Sequence, residues 1–134
     1  MIRLGGIESN SQSSCFWKSA TKADYASANE YCSMMNATLA VIQNKEQNFY
    51  LSQWIGTDNI FWIGPKIDSE GTEFLLPDGG ELSYTNWAKN EPSSFAGQIV
   101  DEETEDCVVS NWGYAGEWND LPCSYEDAYF ACSA

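Results

Sequence analysis

Five cysteines, at positions 15, 32, 107, 123 and 132, are spread through 134 residues without a C-x-x-C pair, and the chain has no histidine. That leaves too few well-spaced ligands for a zinc framework. Disulfides are the better reading, and disulfides persist in oxidising compartments, so the protein is expected to be secreted or extracellular. The odd count leaves one thiol over. No apolar run reaches the roughly 18 to 20 residues that span a bilayer, so membrane insertion is not expected. The opening Met1-Ile2-Arg3-Leu4-Gly5-Gly6 is too short and too polar for a signal peptide, so it is expected to lie downstream of any signal.

A chain of this length makes one domain, which excludes a two-domain enzyme. With 43% apolar and 14% aromatic residues there is material for a packed core. The formal net charge of −14 repels phosphate backbones and anionic headgroups, so nucleic acid and membrane surfaces are poor partners. The same excess tolerates a divalent cation wherever carboxylates are forced together. Lack of histidine removes the commonest general base and the Ser/His and Cys/His nucleophile pairs. Carboxylate-pair chemistry of the glycosidase kind survives that filter.

Residues 5 to 14 are small and polar, so residues 1–14 read as a flexible leader before a domain spanning 15–134. From Thr21 to Met35, the positions Tyr25, Ala28, Cys32 and Met35 form one helical stripe, with Thr21 as the predicted N-cap and Asp24 in the first turn. Ala40-Val41-Ile42 suits a strand. Asn44-Lys45-Glu46-Gln47 matches a capping box opening a second helix through about Trp54. Phe61-Trp62-Ile63-Gly64 reads as a buried strand halted by Gly64-Pro65. Residues 65 to 106 form a long, proline- and glycine-rich loop region ending in an acidic run, and a loop of that length in a compact domain is generally functional or disordered. Cys107-Val108-Val109 and Ala128 to Cys132 read as closing strands, and Trp62, Trp87 and Trp118 as core.

Three segments carry the chemistry: Glu91-Pro92-Ser93, Glu105-Asp106-Cys107 and Trp118-Asn119-Asp120, with Cys123 soon after. Calcium takes six to eight hard oxygens at roughly 2.3 to 2.6 Å, and Glu91, Ser93, Glu105, Asn119 and Asp120 are oxygen donors of that type. The carboxylates of Glu91, Glu105 and Asp120 would repel one another without an ion.

With those segments in view, the chain resembles a C-type lectin domain from Cys15 to Cys132. The Cys32 helix, Trp62-Ile63-Gly64, Asp78-Gly79, Trp87, Glu91-Pro92-Ser93, Glu105-Asp106-Cys107, Trp118-Asn119-Asp120, Cys123 and Tyr129-Phe130-Ala131-Cys132 carry the resemblance, and their order is far more specific than any one piece. The resemblance implies an α+β fold, with two helices on small antiparallel sheets and a long loop region for calcium and sugar. It also implies disulfides Cys32–Cys132 and Cys107–Cys123. In relatives with an extra N-terminal disulfide, a cysteine at the position of Cys15 pairs with one about a dozen residues earlier, which this chain lacks. Cys15 is then either an orphan of truncation or the link of a disulfide-bonded dimer.

In sugar-binding members of that family one calcium sits on the long loops, and two vicinal sugar hydroxyls complete its coordination. Carried across by motif, Glu91 and Glu105 accept hydrogen bonds from the sugar, Asn119 donates through its amide, and Asp120 binds calcium. Ser93 departs from the usual Asn or Asp, and its shorter, uncharged hydroxyl weakens that ligand position. The peptide before Pro92 is expected in cis. Glu-Pro-x resembles the mannose-type arrangement, which suits mannose, fucose or GlcNAc. Phe95 and the insertion from Ala96 to Thr104 resemble the galactose type, where an aromatic ring stacks on the sugar. Both preferences stay open. An auxiliary calcium near Asp68, Glu70 and Asp106 is not expected, because Ser94 stands where an acid is usual.

Three function classes compete: a calcium-dependent lectin, a lectin-like domain binding a protein or ice surface with calcium structural or absent, and a carboxylate-pair glycosidase on Glu91 and Glu105. The last is disfavoured, since two carboxylates on one cation are both ionised and glycoside cleavage needs one protonated. No catalysis is expected. Asn36-Ala37-Thr38 is an N-glycosylation tripeptide.

Overall fold

In the computed structural model, which describes residues 1–4, 14–92 and 106–134, the chain opens on a strand pair. Strand β1 (Ile2–Leu4) lies antiparallel to β2 (Ser14–Lys18), with Arg3 opposite Cys15. The structure thus puts a strand inside the stretch read as a leader. The reason is the alternation Ile2-Arg3-Leu4: Ile2 and Leu4 pack on the core cluster that holds Phe16, and Arg3 points outward. Cys15 is a half-buried free thiol.

Helix α1 (Tyr25–Met34) buries Tyr25, Ala28 and Cys32, the expected stripe, but its cap is Asp24 and not Thr21. Ala23, the residue before Asp24, is held in a bridge to Ala128. The Ala23 N–H bonds the Ala128 carbonyl at 2.9 Å, and the Ala23 carbonyl accepts from the Trp62 indole at 2.9 Å. Asp24 then accepts the Ser27 N–H at 2.9 Å, and that bond holds its carboxyl below the usual carboxylate range. Replacing Asp24 with Ala is expected to cost about 1 kcal/mol at neutral pH. Because the folded state depresses this carboxyl, the stabilisation is present above the unfolded carboxylate range and is lost as pH falls through the folded one. The gap in thermal midpoint between wild type and D24A should therefore close on acidification. A gap that stays constant to low pH would remove the cap from the account.

The helix ends with Met35 as C-cap and Asn36 in the left-handed region at φ 57°. Strand β3 (Thr38–Leu39) follows, upstream of the predicted 40–42 strand. Ala40 and Ile42 are buried as that expectation required. Their segment is shared irregularly between neighbours: the Ala40 N–H bonds Ala131, the Ala40 carbonyl accepts from Gly64, and the Val41 N–H bonds the Ser133 hydroxyl. Helix α2 (Lys45–Ile55) starts where the capping box put it. Asn44 accepts the Gln47 N–H at 2.8 Å, and the Gln47 side chain reaches back to the Gln43 N–H at 2.9 Å.

Strand β4 (Phe61–Ile67) runs through Gly64-Pro65, which were expected to halt it. A register shift between Ile63 and Lys66 takes up Pro65, which has no N–H to give. Gly64 is required there because a side chain would meet the Leu39 and Ala40 carbonyls at 2.9 Å. Within the region read as loop lie β5 (Phe74–Leu75) and several turns. Strands β6 (Cys107–Ser110), β7 (Asn119–Leu121) and β8 (Tyr129–Ser133) complete the described elements.

The order is β1-β2-β8-β4-β6-β7, with β3 on β8 and β5 on β4. The antiparallel sheets are joined by one parallel pairing, β4 to β8, into a single mixed sheet. Disulfides Cys32–Cys132 and Cys107–Cys123 are both present. The first ties α1 to β8, and the second ties β6 to the chain just after β7. Trp62 and Trp118 are buried, and Trp87 is half-buried against Trp118, so all three pack inward as expected.

Candidate functional site

The site is built outward from Trp118. Its ring is edge-on to Trp87 and Tyr84, with centroids 5.7 and 5.8 Å away, and its indole N–H donates to Asn48 Oδ1 at 3.0 Å. The Asn48 and Asn86 amides both donate to the Gly116 carbonyl, at 2.9 and 2.7 Å. Asn111, at φ 64°, supports the same turn from below. Its Oδ1 accepts the Gly116 N–H at 2.8 Å and the Ser52 hydroxyl, and its Nδ2 reaches the Gly56 and Asn59 carbonyls at 3.0 and 3.1 Å. Buried polar groups this fully bonded rigidify what they hold. Sequence reading overlooked Asn48 and Asn111. The signal for Asn111 was its place before Trp112-Gly113, a turn that a left-handed Asn can open; Asn48 gave no local signal.

Trp118 in turn aligns two of the predicted ligand segments. Its N–H bonds the Asn86 carbonyl at 2.8 Å and its carbonyl accepts the Ala88 N–H at 2.9 Å, so residues 86–88 run beside the start of β7. A tight turn follows, closed by the Glu91 N–H on Ala88 at 3.0 Å with Asn90 at φ 68°. Glu91 is half-buried and the Glu91–Pro92 peptide is cis, as expected. On the other side β6 pairs with β7, with Val109 opposite Asn119 and Val108 opposite Asp120. The fold thus brings the Glu91 turn and the Asn119-Asp120 pair to one edge of the sheet.

Asn119 and Asp120 are buried, Asp120 completely. Among the described residues the Asn119 Oδ1 atom has no hydrogen-bond partner, although solvent does not reach it. An orphaned buried carbonyl oxygen costs about 1 to 3 kcal/mol, which a hard cation or a donor would relieve. Among the described residues, no three Asp, Glu or Cys side chains gather as a metal-binding group. Ser93, Phe95 and Glu105 lie outside the described residues. Asp106 immediately precedes β6, and its carbonyl accepts the Ile67 N–H at 2.8 Å. Of the auxiliary set, the Asp68 carboxylate receives the Thr72 hydroxyl at 2.6 Å and the Thr72 N–H at 2.7 Å, which hold it below the usual range.

The sequence profile described as Lectin C-type domain matches residues 21–134. The rat (Rattus norvegicus) versican core protein is 34% identical over 118 residues, covering 88% of this chain and 4% of that protein, so the chain spans a small part of the curated relatives it matches. A human scavenger receptor C-type lectin carbohydrate-recognition domain superposes with a TM-score of 0.79 at 26% identity, covering 90% of each chain. The cow carbohydrate-recognition domain of CD23, solved in the presence of GlcNAc2Man3 oligosaccharide, gives 0.76 at 30% identity, covering 92% of this chain and 88% of that one. A calcium-independent type II antifreeze protein shares the fold at 23% identity and a TM-score of 0.73, covering 90% of this chain and 85% of that one.

Proposed function

The chain belongs to the C-type lectin domain family, whose members bind and do not catalyse, and from that premise we propose that it binds glycans through calcium. The proposed ligand set is Glu91, Ser93, Glu105, Asn119 and Asp120. The observation that carries this reading is the buried Asn119 Oδ1, without a hydrogen-bond partner among the described residues, on the same strand as the wholly buried Asp120. An oxygen-only donor set with surplus negative charge fits a hard dication. Calcium, when bound, supplies positive charge and open coordination positions for two vicinal sugar hydroxyls. Glu91 and Glu105 accept hydrogen bonds from those hydroxyls, the Asn119 amide donates one, and Ser93 contributes a hydroxyl. Phe95 offers an apolar ring to a galactose face if that preference holds. One such shallow site gives about millimolar affinity, so useful capture needs several copies, through oligomers or a Cys15-linked dimer. The two disulfides support a secreted or extracellular setting. Among the described residues no helix is long and apolar enough to cross a membrane.

The Ser93 departure and the calcium-independent antifreeze neighbour favour a second reading, in which the same loops bind a protein or other non-sugar ligand. Columns of immobilised mannose and of immobilised galactose distinguish the two. The expected result is retention in calcium and release by chelator from one of them. Retention on neither, with a thermal midpoint indifferent to calcium, would install the second reading.

A further inference from the structure

We infer that Asn36 is an acceptor for an N-linked glycan, at the end of the fold away from the proposed ligand edge. Asn36-Ala37-Thr38 is the one Asn-x-Ser/Thr tripeptide in the chain. Asn36 ends α1 in a Schellman arrangement: its N–H bonds Ser33 at 3.0 Å, and the Ala37 N–H bonds Cys32 at 2.9 Å. The left-handed φ accounts for Asn or Gly at position 36, and Thr38 opens β3 with its hydroxyl donating to the Leu39 carbonyl at 3.0 Å. Ala37 is buried while Asn36 and Thr38 are both exposed, so the turn presents the two residues the modification reads. Asn44, Asn48, Asn59, Asn86 and Asn111, by contrast, use their carboxamides in hydrogen bonds within the domain.

Two further observations bear on the acceptor. Tyr31 and Met34, on the last turns of α1, are 53% and 79% exposed, an apolar area beside Asn36 that a bulky hydrophilic glycan would screen. Asn36 also leads into β3, which joins the sheet through β8, whereas Asn119 and Asp120 sit on β7, with β4 and β6 between. A glycan at Asn36 therefore leaves the ligand edge open. The donor is a polyprenyl-diphosphate-linked oligosaccharide. The Asn36 Nδ2 forms a bond to the anomeric carbon as the bond from that carbon to the phosphate oxygen breaks. The polyprenyl diphosphate leaves, and the amide gives up one proton.

The test is secretion of the chain from a eukaryotic cell line, followed by intact-mass measurement before and after peptide N-glycosidase. The expected product carries one enzyme-removable glycan, with Asn36 converted to Asp after removal. Thr38→Ser should keep the glycan, while Thr38→Ala and Asn36→Gln should lose it, with thermal midpoints showing that the variants are folded. Secreted wild type at the bare polypeptide mass, or a glycan retained by both Thr38→Ala and Asn36→Gln, would overturn the assignment.

Discussion

Asp120→Ala should abolish calcium-dependent retention on a sugar column and the calcium-dependent rise in thermal midpoint together. Calcium at a hundredfold excess over its dissociation constant adds about 2.7 kcal/mol to a protein that binds it only when folded, an increment the variant would lack. Asp120 lies on β7, opposite Val108 and wholly buried. That placement makes the experiment stricter, because a buried strand position can also lose stability for reasons unrelated to calcium. Asp120→Asn keeps the shape and removes the charge, so it serves as the paired variant. Both should be folded in chelator, judged by near-ultraviolet circular dichroism, and both should be blind to calcium. A folded Asp120→Asn that still elutes only with chelator would mean that the cation sits elsewhere.

The second large effect is structural. Replacing Cys32 and Cys132 together with Ala should lower unfolding free energy by about 4 to 5 kcal/mol, the loop-entropy value for a closure of roughly 100 residues. The bridge spans a sequence separation of 100, against 16 for Cys107–Cys123, so losing the second should cost about 3 kcal/mol. Against a typical total of about 5 to 15 kcal/mol, the first loss leaves a marginal domain. It also leaves α1 attached to β8 by packing alone, through Tyr25, Ala28 and the ring pair Tyr31–Phe130. Urea unfolding of the double variant is the measurement. A cost under 1 kcal/mol would mean that the unfolded chain is already restrained, and the entropy argument would fail for this protein.

Local chemistry made much of the fold legible. The helical stripe through Cys32, the capping box at Asn44 and the apolar run at Phe61 act over a few residues, and each is found close to where the sequence puts it. The misplacements share one cause. Thr21 lost the cap because Trp62 and Ala128 hold Ala23 in place, and Pro65 failed to end β4 because a bulge lets the strand continue. In both cases a partner remote in sequence outweighed a local preference. Ile2 and Leu4 likewise found a core that a polar stretch following them concealed.

By itself the sequence determined the chemistry on offer: oxygen ligands, no imidazole, cysteines suited to an oxidising compartment and a surplus of negative charge that only a cation could gather. Tertiary structure decided which of those oxygens become neighbours. Trp118, clamped by Asn48 and flanked by Trp87, aligns the Glu91 turn with β7, where the Asn119 carbonyl oxygen is dry and without a partner among the described residues. Residue type is a local property, whereas burial without a partner arises only when segments far apart in the chain are packed against each other.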